Sequence, residues 1–197
     1  MRMGGSSAQI SLKSQFVTVF LRHMFVSALA VVFGLGAFWW LLTQRMTNVL
    51  YSCVFICIYF GMMYAKCSRI AGHDLKGYAQ TKAYPAKGIV LILPVLAVTL
   101  LLDIVRLAVW KAAATERGLE SIGALACNTA FILWNFTFNG VMAIERDSVS
   151  FAGHTAIYAV PLVSAFLGYF AGYKKFVITE KLLPFIYEKE DESEESG

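Results

Sequence analysis

The sequence has little charge and few cysteines for its length. Only 15% of its 197 residues are Asp, Glu, Lys or Arg, whereas an ordinary soluble domain has about 25%. Hydrophobic residues make up 58% of the chain, which is more apolar surface than one soluble core of this size can bury. The composition therefore excludes a typical soluble enzyme domain, a disordered chain and a disulfide-stapled secreted module. It indicates an integral membrane protein.

The familiar signatures of catalysis and metal binding are absent from the sequence. It contains no P-loop, no dinucleotide-binding glycine fingerprint, no Gly-x-Ser-x-Gly elbow and no His-Glu-x-x-His motif. The cysteines include no Cys-x-x-Cys pair, and His23, His73 and His154 lie far apart in the chain. We therefore predict no catalytic residues, no metal site and no cofactor.

Five apolar segments have about the 20-residue length that a membrane-spanning helix needs. They lack the alternating pattern of barrel strands, and lipid then leaves only helices to span the bilayer. The sequence predicts an all-α, polytopic transmembrane bundle of about five helices in a single domain, residues 1–187. A disordered acidic tail, residues 188–197, follows it. The predicted spans are residues 16–42, 46–65, 88–110, 121–144 and 155–173.

The stretch from residue 66 to residue 87 carries the strongest topological signal. It holds five bases and one acid, Asp74. Loops rich in Lys and Arg stay in the cytoplasm, so we expect a multi-pass protein of the cell membrane with this loop and the N-terminus on the cytoplasmic side. Because the bases beside the apolar segments act as topology determinants, we expect no nucleic-acid partner.

The side of the C-terminus depends on whether the fourth segment, residues 121–144, crosses the membrane. Five full crossings would place the C-terminus and its lysines outside. A fourth segment that is re-entrant or does not cross would return the C-terminus to the cytoplasm. Segment length favours the first arrangement. The distribution of basic residues favours the second arrangement, because it leaves fewer of them outside.

Polar residues at membrane depth form the candidate site. Asp103 and Arg106 are three residues apart on one predicted helix, close enough to pair. Asn128, Asn135 and Asn139 are spaced to form one stripe on a continuous fourth helix, which would face other helices or a wet cavity. Two explanations stay open for this intramembrane polar cluster: structural pairing between helices, or the lining of a ligand cavity.

Small residues follow one another at four-residue spacing on the last predicted helix. Ser164, Gly168 and Gly172 would let a second helix backbone approach closely, as association between helices in lipid requires. The pattern favours a helix-packing face. That face would lie either inside the monomer or against another chain.

Two short stretches carry a resemblance to known proteins. The sequences Tyr64-Ala-x-x-Ser-Arg-Ile-x-Gly-His-Asp74 and Gly168-Tyr-x-x-Gly-Tyr-Lys-Lys175 resemble parts of small, functionally uncharacterised multi-pass membrane proteins of bacteria. They cover a small part of the chain. The resemblance implies a location in the bacterial cytoplasmic membrane and implies no activity.

Two functional hypotheses follow from these observations. The first is a non-enzymatic accessory or scaffold component of the bilayer, which would contact lipid and another membrane protein or a second copy of itself. The alternative is a small-molecule binding or transport component with a polar intramembrane cavity. The two hypotheses differ in the role that they give to Asp103, Arg106 and the three asparagines.

Overall fold

The computed structural model describes residues 11–37, 44–76, 79, 81–115, 122–142 and 151–175. The predicted tail, residues 188–197, lies outside the described residues. Those that are described form six α-helices and no β-strand, which confirms the all-α prediction. The helices are α1 (Leu12–Val32), α2 (Arg45–Asp74), α3 (Lys87–Thr115), α4 (Ile122–Trp134), α5 (Asn139–Met142) and α6 (Phe151–Tyr173).

Four of these helices are long and apolar enough to cross a membrane. They are α1, whose candidate span continues into the π-helical turn Phe33–Ala37, and α2, α3 and α6. α4 has 13 residues, a length of about 20 Å, which falls short of a hydrocarbon core of about 30 Å. The described residues thus provide four candidate spans and one shorter apolar helix.

α2 continues well beyond the predicted span 46–65. It has 30 residues and ends at Asp74, so the first part of the predicted basic loop is helical. Lys66 and Arg69 lower the hydropathy of this extension. One of its faces is nevertheless buried, through Cys67 and Ala71. Packing on a neighbouring helix therefore extends α2 where the charges predict a loop.

The predicted fourth span is interrupted near its middle. α4 ends at Trp134, the chain turns at Asn135, and one 3-10 turn (Phe136–Phe138) leads into the short helix α5. Both phenylalanines of that turn are buried between neighbouring helices, and Gly140 packs against the backbone of Asn48 on α2. The segment expected to be one continuous helix is therefore broken. Irregular backbone at membrane depth is tolerated where protein surrounds it.

The small-residue face of α6 packs inside the monomer. A side-chain carbon added at Gly168 would overlap the backbone of Tyr64, and one added at Gly172 would overlap the backbone of Ser68. Ser164 on the same face is fully buried. α6 therefore lies backbone to backbone against α2, and the two stretches that carry the bacterial resemblance are in contact with each other.

The contact between α6 and α2 can be tested with a matched pair of glycine substitutions. We expect Gly168→Ala to lower the free energy of unfolding by about 1–3 kcal/mol, because the added methyl group overlaps backbone atoms. The methyl group of Gly61→Ala on α2 meets open space. This substitution should raise the free energy of unfolding slightly, by up to about 1 kcal/mol, because alanine favours the helix more than glycine does. Thermal unfolding of both variants in detergent measures the difference. Equal effects of the two substitutions would contradict the packing.

Candidate functional site

A buried ion pair joins α2 to α3. Asp74 is the last residue of α2 and Lys87 the first of α3. The ammonium Nζ of Lys87 lies 2.5 Å from the carboxylate Oδ2 of Asp74, and neither side chain is more than 2% exposed. The sequence presents both residues as parts of a charged loop. In the structure their charges neutralise each other inside the bundle.

Three further side chains donate hydrogen bonds to the same carboxylate. The Tyr169 hydroxyl donates to Oδ2 over 2.8 Å, and Gln15 Nε2 and the Thr81 hydroxyl both donate to Oδ1 over 2.6 Å. With Lys87, Asp74 therefore has four donors, which is about the number that a carboxylate can accept. We call these five residues the Asp74 network. A buried charge this well paired avoids most of the cost of leaving water.

The Asp74 network fixes the arrangement of the helices. Gln15 lies at the start of α1, Asp74 at the end of α2, Lys87 at the start of α3 and Tyr169 near the end of α6. These four helix ends must therefore meet at one end of the bundle. Sequence reasoning missed the network, and its only visible sign was a lone acid among five bases.

A second charged group lies in the C-terminal half of α3. Arg106 donates through Nη2 to Oδ1 of Asp103 over 2.8 Å, and its guanidinium lies over the Phe131 ring at 4.6 Å. Nε2 of His154, near the start of α6, lies 3.5 Å from Oδ2 of Asp103. The structure therefore pairs Asp103 with Arg106 and adds a histidine that the sequence did not connect to them. We call Asp103, Arg106 and His154 the Asp103 cluster.

The three asparagines do not share one helix. Asn128 lies on α4, Asn135 at the break and Asn139 at the start of α5. The expectation of a single polar stripe is corrected, because it assumed an unbroken fourth helix. Asn135 is fully buried and donates through Nδ2 to the backbone oxygen of Phe131 over 3.1 Å, whereas Asn128 and Asn139 are partly exposed. This bond stabilises the end of α4.

A third polar group lies around Trp134, and sequence reasoning missed it. His23 is 1% exposed, its Nδ1 lies 3.0 Å from the Tyr59 hydroxyl, and its ring lies 4.6 Å from the Trp134 ring. The Trp134 indole N–H donates to the Thr99 hydroxyl, and the Trp134 carbonyl accepts from Ser27. These contacts connect α1, α2, α3 and α4. In the sequence, His23 beside Arg22 predicts only an interfacial residue at the start of the first span.

The described residues place the titratable groups in pairs rather than in metal-binding sets. No group of three or more His, Cys, Asp or Glu residues among them could hold a metal ion. Cys53 and Cys57 are exposed on α2, while Cys67 is buried. The arrangement can neutralise charge and connect helices. It also leaves part of the Asp103 cluster, the half-exposed His154, at the surface of the bundle.

Comparison of the chain with protein-family models, with curated proteins and with solved structures finds no match. Function therefore has to be inferred from the contacts and surfaces described above. They include the outer faces of the four long helices and a groove lined by Leu96, His154, Thr155, Tyr158, Ala159 and Leu162.

The ion pair of the Asp74 network predicts a non-additive pattern of stability changes. We expect Asp74→Asn or Lys87→Met alone to lower the free energy of unfolding by about 3–5 kcal/mol, because each leaves the other group buried without its partner charge. In the double variant, the free energy of unfolding should fall by less than the sum of the losses in the two single variants. Unfolding in detergent checks this, with the exposed Lys82→Met as the control that should change little. Strictly additive losses would contradict a coupled pair.

Proposed function

We propose that this chain is a non-enzymatic accessory or scaffold component of the membrane, which binds another helix through an exposed face of α2. Its four long apolar helices make it compatible with an integral membrane protein. The finer assignment depends on one observation, which is a row of small residues that no helix of the described chain covers.

The small residues of α2 recur every four positions on its outer side. They are Cys53, Cys57, Gly61 and Ala65, and all four are exposed. A side-chain carbon added at Gly61 would meet no atom within 4 Å. We call this row the α2 face. Small residues at this spacing let helix backbones approach closely in lipid, where no hydrophobic effect drives helices together.

The α2 face differs in this respect from the small-residue face of α6. Gly168 and Gly172 already contact α2 within the monomer, so they offer nothing to a second chain. One side of α2 packs against α6, while the small residues on its other side are exposed. This difference supports a role of the α2 face in association with another helix.

The contacts of the polar residues support a structural role over transport. The Asp74 network lies at one end of the bundle, the group around His23 and Trp134 lies in its interior, and the Asp103 cluster lies in the C-terminal half of α3. These three groups share no residue. A transported solute would need them to line one continuous path.

We also propose an orientation for the four candidate spans. If each one crosses, the residues before α1, the connection between α2 and α3, and the residues after α6 lie on one side. Lys76, Lys82, Lys174 and Lys175 belong to that side, and the positive-inside rule makes it the cytoplasm. This is the arrangement that the charge distribution of the sequence favours.

Photo-crosslinking from the α2 face tests the proposed function. A photoreactive amino acid at Cys57 should crosslink to protein in native membranes, and the same group at Ala28, exposed on α1, should meet mainly lipid. A product of twice the chain mass would identify a second copy, and any other mass a different partner. Gly61→Leu should lower the yield by about tenfold if about 1.4 kcal/mol of packing is lost.

Two results would count against the α2 face. One is equal protein crosslinking from positions 57 and 28, because the face would then have no preference for protein. The other is an unchanged yield in the Gly61→Leu variant when its folding, checked by thermal unfolding, is normal.

A further inference from the structure

Five exposed basic residues lie at the end of the bundle that the Asp74 network occupies. Each is within six residues of a member of that network along the chain, which is a rise of at most about 9 Å on a helix. They come from α1, from α2, from the connection between α2 and α3, and from the residues after α6. Because the network holds these helix ends together, the five bases are gathered at one surface. We call them the basic end: Lys13, Arg69, Lys82, Lys174 and Lys175.

The described part of the chain offers no exposed acid to balance the basic end. Its two acids are Asp74 and Asp103. Asp74 is buried and already paired with Lys87. Asp103 lies 16 residues after Lys87 on α3, which is about 24 Å along the helix. Charges of one sign that are held together repel each other and destabilise a compact fold. A negatively charged partner at the basic end would therefore stabilise the bundle.

Aromatic residues indicate that the basic end lies at the head-group level of a bilayer. Phe170 on α6 is 37% exposed, and Nζ of Lys174 lies 5.9 Å from the centre of its ring. Tyr173 is half-buried at the end of α6, and Tyr84, shortly before α3, is 40% exposed. Tyrosines collect at the interface between membrane and water, and lysine side chains extend their charge from apolar surface toward it. The order along α6 thus fits hydrocarbon, interface and head group in turn.

Phosphate is the negative group that a bilayer presents at this level. Clusters of Lys and Arg directly beside membrane-spanning helices attract anionic lipids, and both side chains bind phosphate. A soluble anion would meet the same charges. A lipid also covers the apolar side chains beside them, and Phe170 and Leu75 are both exposed there. The combination favours a lipid.

We propose that the basic end binds anionic phospholipids of the surrounding bilayer through their phosphate groups. The bound lipids offset the repulsion among the five bases, so they support the same four helix ends that the Asp74 network joins. Their acyl chains lie against exposed apolar side chains such as Phe170. This binding goes beyond the proposed function, and it uses no residue of the α2 face.

Spin-labelled lipids in phosphatidylcholine vesicles that contain the full chain test this proposal. The two probes are phosphatidylglycerol and phosphatidylcholine, which differ in net charge. We expect the wild-type protein to immobilise phosphatidylglycerol with a preference of about tenfold or more, because each base near an anionic surface contributes about fivefold. Lys82→Gln and Lys174→Gln, from different parts of the basic end, should each lower the preference by about that factor. High salt should lower it as well, through screening.

Two control variants separate the basic end from charge in general. Lys174→Arg keeps the charge and should keep the preference. Lys111→Gln removes an exposed base from the far part of α3 and should leave the preference nearly unchanged. Thermal unfolding of each variant checks that it is folded.

Three results would overturn the proposal. The first is a wild-type protein without preference for phosphatidylglycerol, which is also the result expected if the acidic residues 188–197 neutralise the basic end. The second is a loss in Lys111→Gln as large as in Lys174→Gln. The third is an equal loss in Lys174→Arg and Lys174→Gln. None of these results depends on the α2 face, so the two proposals can fail separately.

Discussion

A buried carboxylate needs hydrogen-bond donors, and Asp74 at the end of α2 receives them from each of the other three long helices that the structure describes. Lys87 reaches it from α3, Gln15 from α1 and Tyr169 from α6, while Asp74 itself ends α2. Thr81 adds a fourth donor from the connection between α2 and α3. Removing any one helix from its place would leave a buried charge incompletely paired, at a cost of several kcal/mol.

The Asp74 network and the Asp103 cluster both pair an aspartate with a basic residue, but they differ in how exposed they are. Asp74 is enclosed on all sides, and its side chain has no exposed surface. Asp103 is also paired, but its partner His154 remains 36% exposed and borders a groove. The closed group therefore stabilises the fold, while the open group leaves His154 partly exposed at the surface of the bundle. The exposed small residues of α2 are the separate surface that we propose for another helix.

Much of the helical architecture follows from local properties of the sequence. Long apolar runs predict the spanning helices, and a spacing of three residues predicts the pair of Asp103 and Arg106. The extension of α2 to Asp74 could not be predicted in this way, because it depends on burial of Cys67 and Ala71 against α6. The break at Asn135 depends on tertiary packing of the two phenylalanines that follow it.

The Asp74 network could not be predicted from the sequence for a related reason. Its members come from as far as 95 residues from Asp74 in the sequence. Nothing local distinguishes a base that pairs with Asp74 from one that faces water. Lys82 and Lys87 are close neighbours in the same basic stretch, yet the first is exposed and the second is buried. Only the packing of four helix ends decides between them.

The most direct test of the account is the position of two exposed residues relative to the membrane. In a cysteine-free version of the chain, single cysteines at Lys82 and at Lys175 would be labelled with a membrane-impermeant maleimide in intact and in opened cells. The Asp74 network brings the end of α2 and the end of α6 together, so both positions should be on the same side of the membrane. The positive-inside rule makes that side the cytoplasm, so both should react only after the cells are opened. Labelling from opposite sides of the membrane would contradict the network and the four-span arrangement with it.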